Sequence, residues 1–132
     1  MSEPNISDRK HSKEHTWALD NRDGSATAGI SDYAQEQLTD IVYVELPEIG
    51  KKVKQWEIVA VLESVKSVSD VYAPVSGEVI EVNHRLDDQP DLINQDPFGE
   101  GWIVRLKMDD VSELDTLMDA ATYEAFIKEM NP

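Results

Sequence analysis

The sequence predicts a mainly β fold with short peripheral helices. Short runs rich in Val, Ile and Tyr recur along the chain, each bounded by Gly, Pro, Asn or Asp, the pattern of strands separated by turns. Helical periodicity is confined to short stretches, the clearest near the C-terminus. At 132 residues the chain is long enough to bury a core as one domain.

In chain order, residues 1–12 are polar and read as a flexible N-terminal tail, leaving 13–132 as a single domain. His15–Leu19 reads as a strand, Asn21–Gly24 as a turn and Ala26–Ile30 as the partner strand. Ser31 or Asp32 caps a short helix ending near Leu38. Ile41–Val44 is a strand closed by Pro47 and Gly50. Val53–Leu62 and Val68–Val82 look loosely alike and flank Lys66, as a weak internal duplication would. Ile58–Leu62 is apolar throughout, which predicts a strand covered on both faces. Ala73–Gly77 is a turn, and His84–Gly101 reads as one long loop. Trp102–Leu106 is the expected last strand. Ser112 and Asp115 stand at capping-box spacing. Asp119 is the expected cap of a final helix, with Tyr123, Phe126, Ile127 and Met130 as its core-docking stripe.

Composition narrows the function. With 27 acidic against 12 basic residues the net charge is −15, which repels nucleic acid and anionic membranes and favours basic patches on partner proteins. No cysteine is present, which excludes a disulfide framework, a thiolate metal site and a cysteine nucleophile. No apolar run approaches the length of a membrane span and Met1–Lys13 lacks a signal core, so the cytoplasm is the expected location. No phosphate loop or hydrolase elbow occurs. His11 and His15 have helical metal-ligand spacing without an evident third ligand, so no metal site is expected. Paired acids such as Asp87 and Asp88 follow from the acidity itself and do not argue for catalysis.

One residue remains as a candidate. Lys66 lies between two β-type runs, flanked by Glu63, Ser64, Val65 and Ser67. At a hairpin tip a lysine is a poor catalyst in isolation, but it is a good handle, because its ammonium stands clear of the body and can be acylated. A lone lysine is more often a solvated surface residue, and these neighbours lack the Asn-Gly or Gly-x signature of a tight hairpin. The residues by themselves lead only to a β domain with a possible handle.

Longer segments match a known family. Gly29–Leu38, Asp40–Pro47 with Gly50, Glu63–Ser67, Ser69–Glu78 and Asn94–Trp102 closely resemble, in order, the H proteins of the glycine cleavage system. The resemblance implies a barrel-sandwich hybrid fold and lipoic acid joined to the side-chain nitrogen of Lys66. It implies a shuttle that catalyses nothing alone and behaves as a monomer. Its implied partners are a pyridoxal-phosphate glycine decarboxylase, a tetrahydrofolate-dependent aminomethyltransferase, dihydrolipoyl dehydrogenase and the lipoyl-attaching enzymes. The arm would accept an aminomethyl group at the first, yield its methylene carbon at the second and be reoxidised at the third. A lipoyl relay to 2-oxoacid dehydrogenases is the alternative. Two positions depart from the family: Thr16 stands where an acid is usual, and Ser67 where alanine is usual.

Overall fold

The structure, a computed structural model, describes residues 9–130. Among the described residues nine strands form two antiparallel sheets. β1 (Arg9–His11), β2 (Thr16–Asp20), β3 (Ser25–Ile30), β5 (Lys52–Val53), β8 (Gly77–Val82) and β9 (Val104–Met108) make a six-stranded sheet in the order β1-β2-β3-β9-β8-β5. β4 (Ile41–Glu45), β6 (Ile58–Ser64) and β7 (Val68–Tyr72) make a three-stranded sheet with β6 at its centre. Val44, Leu62, Val71, Val79, Ile103 and Leu106 belong to one buried cluster that draws on both sheets.

The two halves that look alike around Lys66 take a symmetric form. β6 pairs with β7 in one sheet, while β5 and β8, just outside them, pair in the other through Lys52↔Glu78 and Val53↔Gly77. Both pairings are centred, in sequence, on the turn holding Lys66. Gly77 is required at one of these crossings, because a Cβ there would run into the Lys107 carbonyl on β9.

Among the described residues four α-helices decorate the sheets. α1 (Asp32–Leu38) is capped by Ser31, whose hydroxyl accepts from the Ala34 N–H, and α4 (Ala120–Met130) by Asp119, which accepts from the Thr122 N–H at 2.8 Å. Tyr123 is buried, while Phe126 and Ile127 are half-buried, so of these three the stripe docks mainly through Tyr123; the Met130 side chain lies outside what is described.

Several expectations are corrected. Residues 1–8 of the expected tail lie outside the described residues, but Arg9–His11 forms β1, paired to β2 through His11↔Trp17. Polarity misled here: the Arg9 and His11 side chains are buried against aromatic rings. The segment His84–Gly101 is not one loop, since α2 (Arg85–Asp88) buries Leu86 and α3 (Leu92–Gln95) buries Leu92 and Ile93. Asn94 fastens it by donating to the Thr39 carbonyl and accepting from the Ile41 N–H. Ile58–Leu62 is not covered throughout: Val59, Ala60 and Leu62 are buried, but Val61 is half-buried and Ile58, set off by a register shift between Ile58 and Ala60, is exposed. The last strand begins later than expected and runs on to Met108. Ser112 does not cap; Asp110 does, accepting from the Ser112 N–H at the start of a 3₁₀ turn over Val111–Thr116.

Candidate functional site: the Lys66 hairpin

Lys66 stands at the tip of the β6–β7 hairpin, exposed to solvent. The turn lacks glycine and none of its residues has a positive φ. Ser64 substitutes for the missing turn chemistry. Its N–H donates to the Ser67 carbonyl at 2.8 Å, while its hydroxyl oxygen accepts from the N–H groups of Lys66 at 3.2 Å and Ser67 at 3.1 Å. The Val65 N–H donates to the Asp40 carbonyl at 3.1 Å, which ties the tip to the start of β4. The backbone beneath the lysine is therefore held on both sides, and its long side chain projects freely.

The surroundings of the lysine are apolar and acidic. Tyr43, Glu63 and Val68 form one cross-strand row, and Val68 and Tyr43 are 65% and 53% exposed. Val42 and Val65 are also exposed, and Glu45 and Asp70 share a cross-strand row with Val61 two rows along. Exposed apolar side chains grouped at a strand tip mark an interaction surface more than a packing accident. Among the expected flanking residues, Ser64 fixes the turn, Glu63 and Val65 are surface groups, and Ser67 closes the hairpin. Sequence reasoning missed Asp40, Val42 and Tyr43, because their membership depends on β4 pairing with β6. The register shift between Ile41 and Tyr43 exposes both Val42 and Tyr43.

Beside β7 runs a groove of about 250 Å³, lined by Glu14, Thr16, Ile30, Leu38 and Asp70 among others. Thr16 is buried and its hydroxyl oxygen has no hydrogen-bond partner. Glu14 and Asp70 bring carboxylates to the same groove.

The two histidines at metal-ligand spacing are both engaged by Tyr123. The His15 Nδ1 lies 2.8 Å from the Tyr123 hydroxyl, which also lies 2.6 Å from the Ser31 hydroxyl. The His11 ring stacks on the Tyr123 ring at 4.4 Å. Burial, with the Arg9 guanidinium nearby, pushes the His11 pKa down to about 4, and burial lowers that of His15. Burial pushes Tyr123 up to about 12. Among the described residues no group of three or more His, Cys, Asp or Glu side chains is placed to hold a metal ion. None of the described helices is long and apolar enough to cross a membrane.

Comparison with known proteins agrees with this geometry. The family model described as Glycine cleavage H-protein matches residues 9–130. A glycine cleavage system H protein of Idiomarina loihiensis is 53% identical over 122 residues, covering 92% of this chain and 95% of that one. One from Thermus thermophilus is 54% identical over 121 residues, covering 92% and 94%. The crystal structure of a glycine cleavage system H protein from Mycobacterium marinum superposes with a TM-score of 0.84 at 36% identity, over 92% of this chain and 98% of that one. The two-sheet arrangement is thus the barrel-sandwich hybrid of the lipoyl carriers.

Proposed function

The chain belongs to the glycine cleavage H-protein family, and on that premise we propose that Lys66 is the residue through which it carries lipoic acid between the enzymes of glycine cleavage. The observation that carries this reading is the hairpin tip itself. Lys66 is exposed, is absent from the ion pairs His84–Asp87, Arg85–Glu100 and Arg105–Glu81, and rests on a turn pinned by Ser64 and Asp40. That arrangement fits a lysine acylated on its side-chain nitrogen, because rigid attachment and free reach are both supplied. Once bound, the lipoyl group supplies the two sulfurs that a chain without cysteine lacks.

The residues of the chain then have definite tasks. Ser64 holds the attachment point. Val42, Tyr43, Val65 and Val68 give each partner a common apolar contact, and the acidic charge around them favours encounter with basic active-site mouths. Tethering raises the arm's effective concentration at each partner without a permanent interface. Thr16 offers a hydroxyl where the family usually has an acid, while Glu14 and Asp70 keep carboxylates at the same groove and can receive an ammonium there. The partners are the glycine decarboxylase, the aminomethyltransferase, dihydrolipoyl dehydrogenase and the enzymes that attach lipoate. The chemistry belongs to them, and this chain acts as a monomeric, non-catalytic carrier in the cytoplasm.

Intact-mass measurement on protein from lipoate-supplied cells tests the reading. One lipoyl increment, lost in Lys66→Arg, supports it. Unmodified protein under conditions that lipoylate a control carrier would sink it. Glycine–bicarbonate exchange with the decarboxylase then separates glycine cleavage from a lipoyl relay, which needs no glycine.

A further inference from the structure

A second concave site lies on the other side of α1. It has a volume of about 510 Å³ and is bounded by α1, the Asp96–Phe98 loop and α4. Its lining holds four carboxylates, Asp32, Glu36, Asp96 and Glu124, and no lysine or arginine. Arg9, the nearby cation, donates to the Phe98 carbonyl at 2.7 Å and lies over the Trp17 ring at 4.8 Å. None of the four acids takes part in the ion pairs His84–Asp87, Arg85–Glu100 or Arg105–Glu81.

Acidity alone would not make this a site. A separate observation concerns His11, which lines the same cavity. Its side chain is 2% exposed, and neither ring nitrogen has a hydrogen-bond partner. A buried polar group without a partner is costly, so its presence calls for an explanation. The neutral ring offers one acceptor nitrogen and one donor N–H. It is framed by Tyr123 on its face and by the Phe98 ring edge-on at 6.0 Å. Aromatic walls, a neutral acceptor and a rim of carboxylates favour a flat, weakly hydrated cation; a guanidinium satisfies all three better than an ammonium.

We propose that this cavity anchors an arginine side chain presented by a partner protein. The position gives the anchor a use. Tyr33 lines both this cavity and the groove along β7 that contains Asp70, so a partner held here sits one helix away from the lysine hairpin. The anchor would fix the orientation of a partner while leaving the tip free. This use rests on the carrier reading of Lys66, whereas the arginine site itself does not.

Full-length ¹⁵N-labelled protein titrated with N-acetyl-arginine methylamide at fixed ionic strength provides the test. Saturable shifts are expected at Tyr33, Glu36, Phe98 and Glu124 and in the His11 imidazole, with clearly weaker effects from the lysine analogue. The double variant Glu36→Gln/Glu124→Gln, both exposed positions, should weaken the arginine analogue several-fold without unfolding the protein. With lipoylated protein and the decarboxylase, the same variant should raise KM for the carrier by about three- to tenfold with kcat unchanged, as expected for loss of charged contacts at an interface. Non-saturable shifts, or shifts indifferent to the double variant, would overturn the arginine site, and an unchanged KM would overturn its use in docking the decarboxylase. Short-range nuclear Overhauser contacts from residues 1–6 to the Glu36 and Glu124 side chains would likewise overturn the arginine site, because they would assign the cavity to the chain's own N-terminal residues. Failure of lipoylation would leave the titration unaffected, so the two readings fail separately.

Discussion

His11→Phe should remove an acid sensitivity built into the core. Burial and the Arg9 guanidinium lower the His11 pKa from 6.5 to about 4. The unfolded chain therefore binds a proton in a pH range where the folded chain does not. Stability from this residue is complete above about pH 6.5 and is lost as pH falls through that value toward 4. A pKa difference of that size between the folded and unfolded chains corresponds to roughly 3.4 kcal/mol at most. Residual screening by solvent and the nearby carboxylates brings the expectation to about 2 kcal/mol. Phenylalanine keeps the stack on Tyr123 and introduces no unpaired nitrogens, so at pH 7.5 the variant should match the parent or exceed it by up to about 1 kcal/mol. Urea unfolding, followed by the fluorescence of buried Trp17, would be measured from pH 7.5 to 4.5. Titration of the remaining carboxylates and of His15 is common to both proteins and cancels in the difference. The parent should lose about 2 kcal/mol relative to the variant over that range. Parallel curves would refute the reasoning, since His11 would then titrate alike in the folded and unfolded chains.

Three further outcomes are expected. Lys66→Arg should abolish the lipoyl mass increment and glycine–bicarbonate exchange while leaving the unfolding midpoint within about 0.5 kcal/mol, as for an exposed site; surviving exchange would remove Lys66 from the function. Ser64→Ala removes the acceptor for two turn amides. It should cost about 1 kcal/mol and speed hydrogen exchange at Lys66 and Ser67, whereas unchanged protection would show that the hydroxyl does not hold the turn. Gly77→Ala forces a Cβ against the Lys107 carbonyl and should destabilise by about 3 kcal/mol in denaturant unfolding; a neutral result would mean that β8 and β9 separate at little cost.

Legibility varied with the range of the interactions. Asp119 was readable as a cap, and the other cap was narrowed to Ser31 or Asp32, because a cap is settled within a single turn of helix. The segment His84–Gly101 was not, because Leu86 and Ile93 are drawn into helical turns by a core assembled from distant strands. Ile58–Leu62 misled for the opposite reason: five apolar residues signal burial, but only strand pairing decides which face is covered.

The sequence by itself determined a β-rich, strongly acidic chain, its resemblance to the lipoyl carriers and Lys66 as the expected handle, since turn residues, strand propensity and the ordered family segments are local to the chain. The tertiary structure alone decided what surrounds that handle. It placed Tyr43 in one cross-strand row with Glu63 and Val68, brought Glu14 and Asp70 to one groove, and enclosed the acidic cavity between His11, α1, Phe98 and α4. Those neighbours are separated by tens of residues, and only the closing of two sheets over a shared core brings them together.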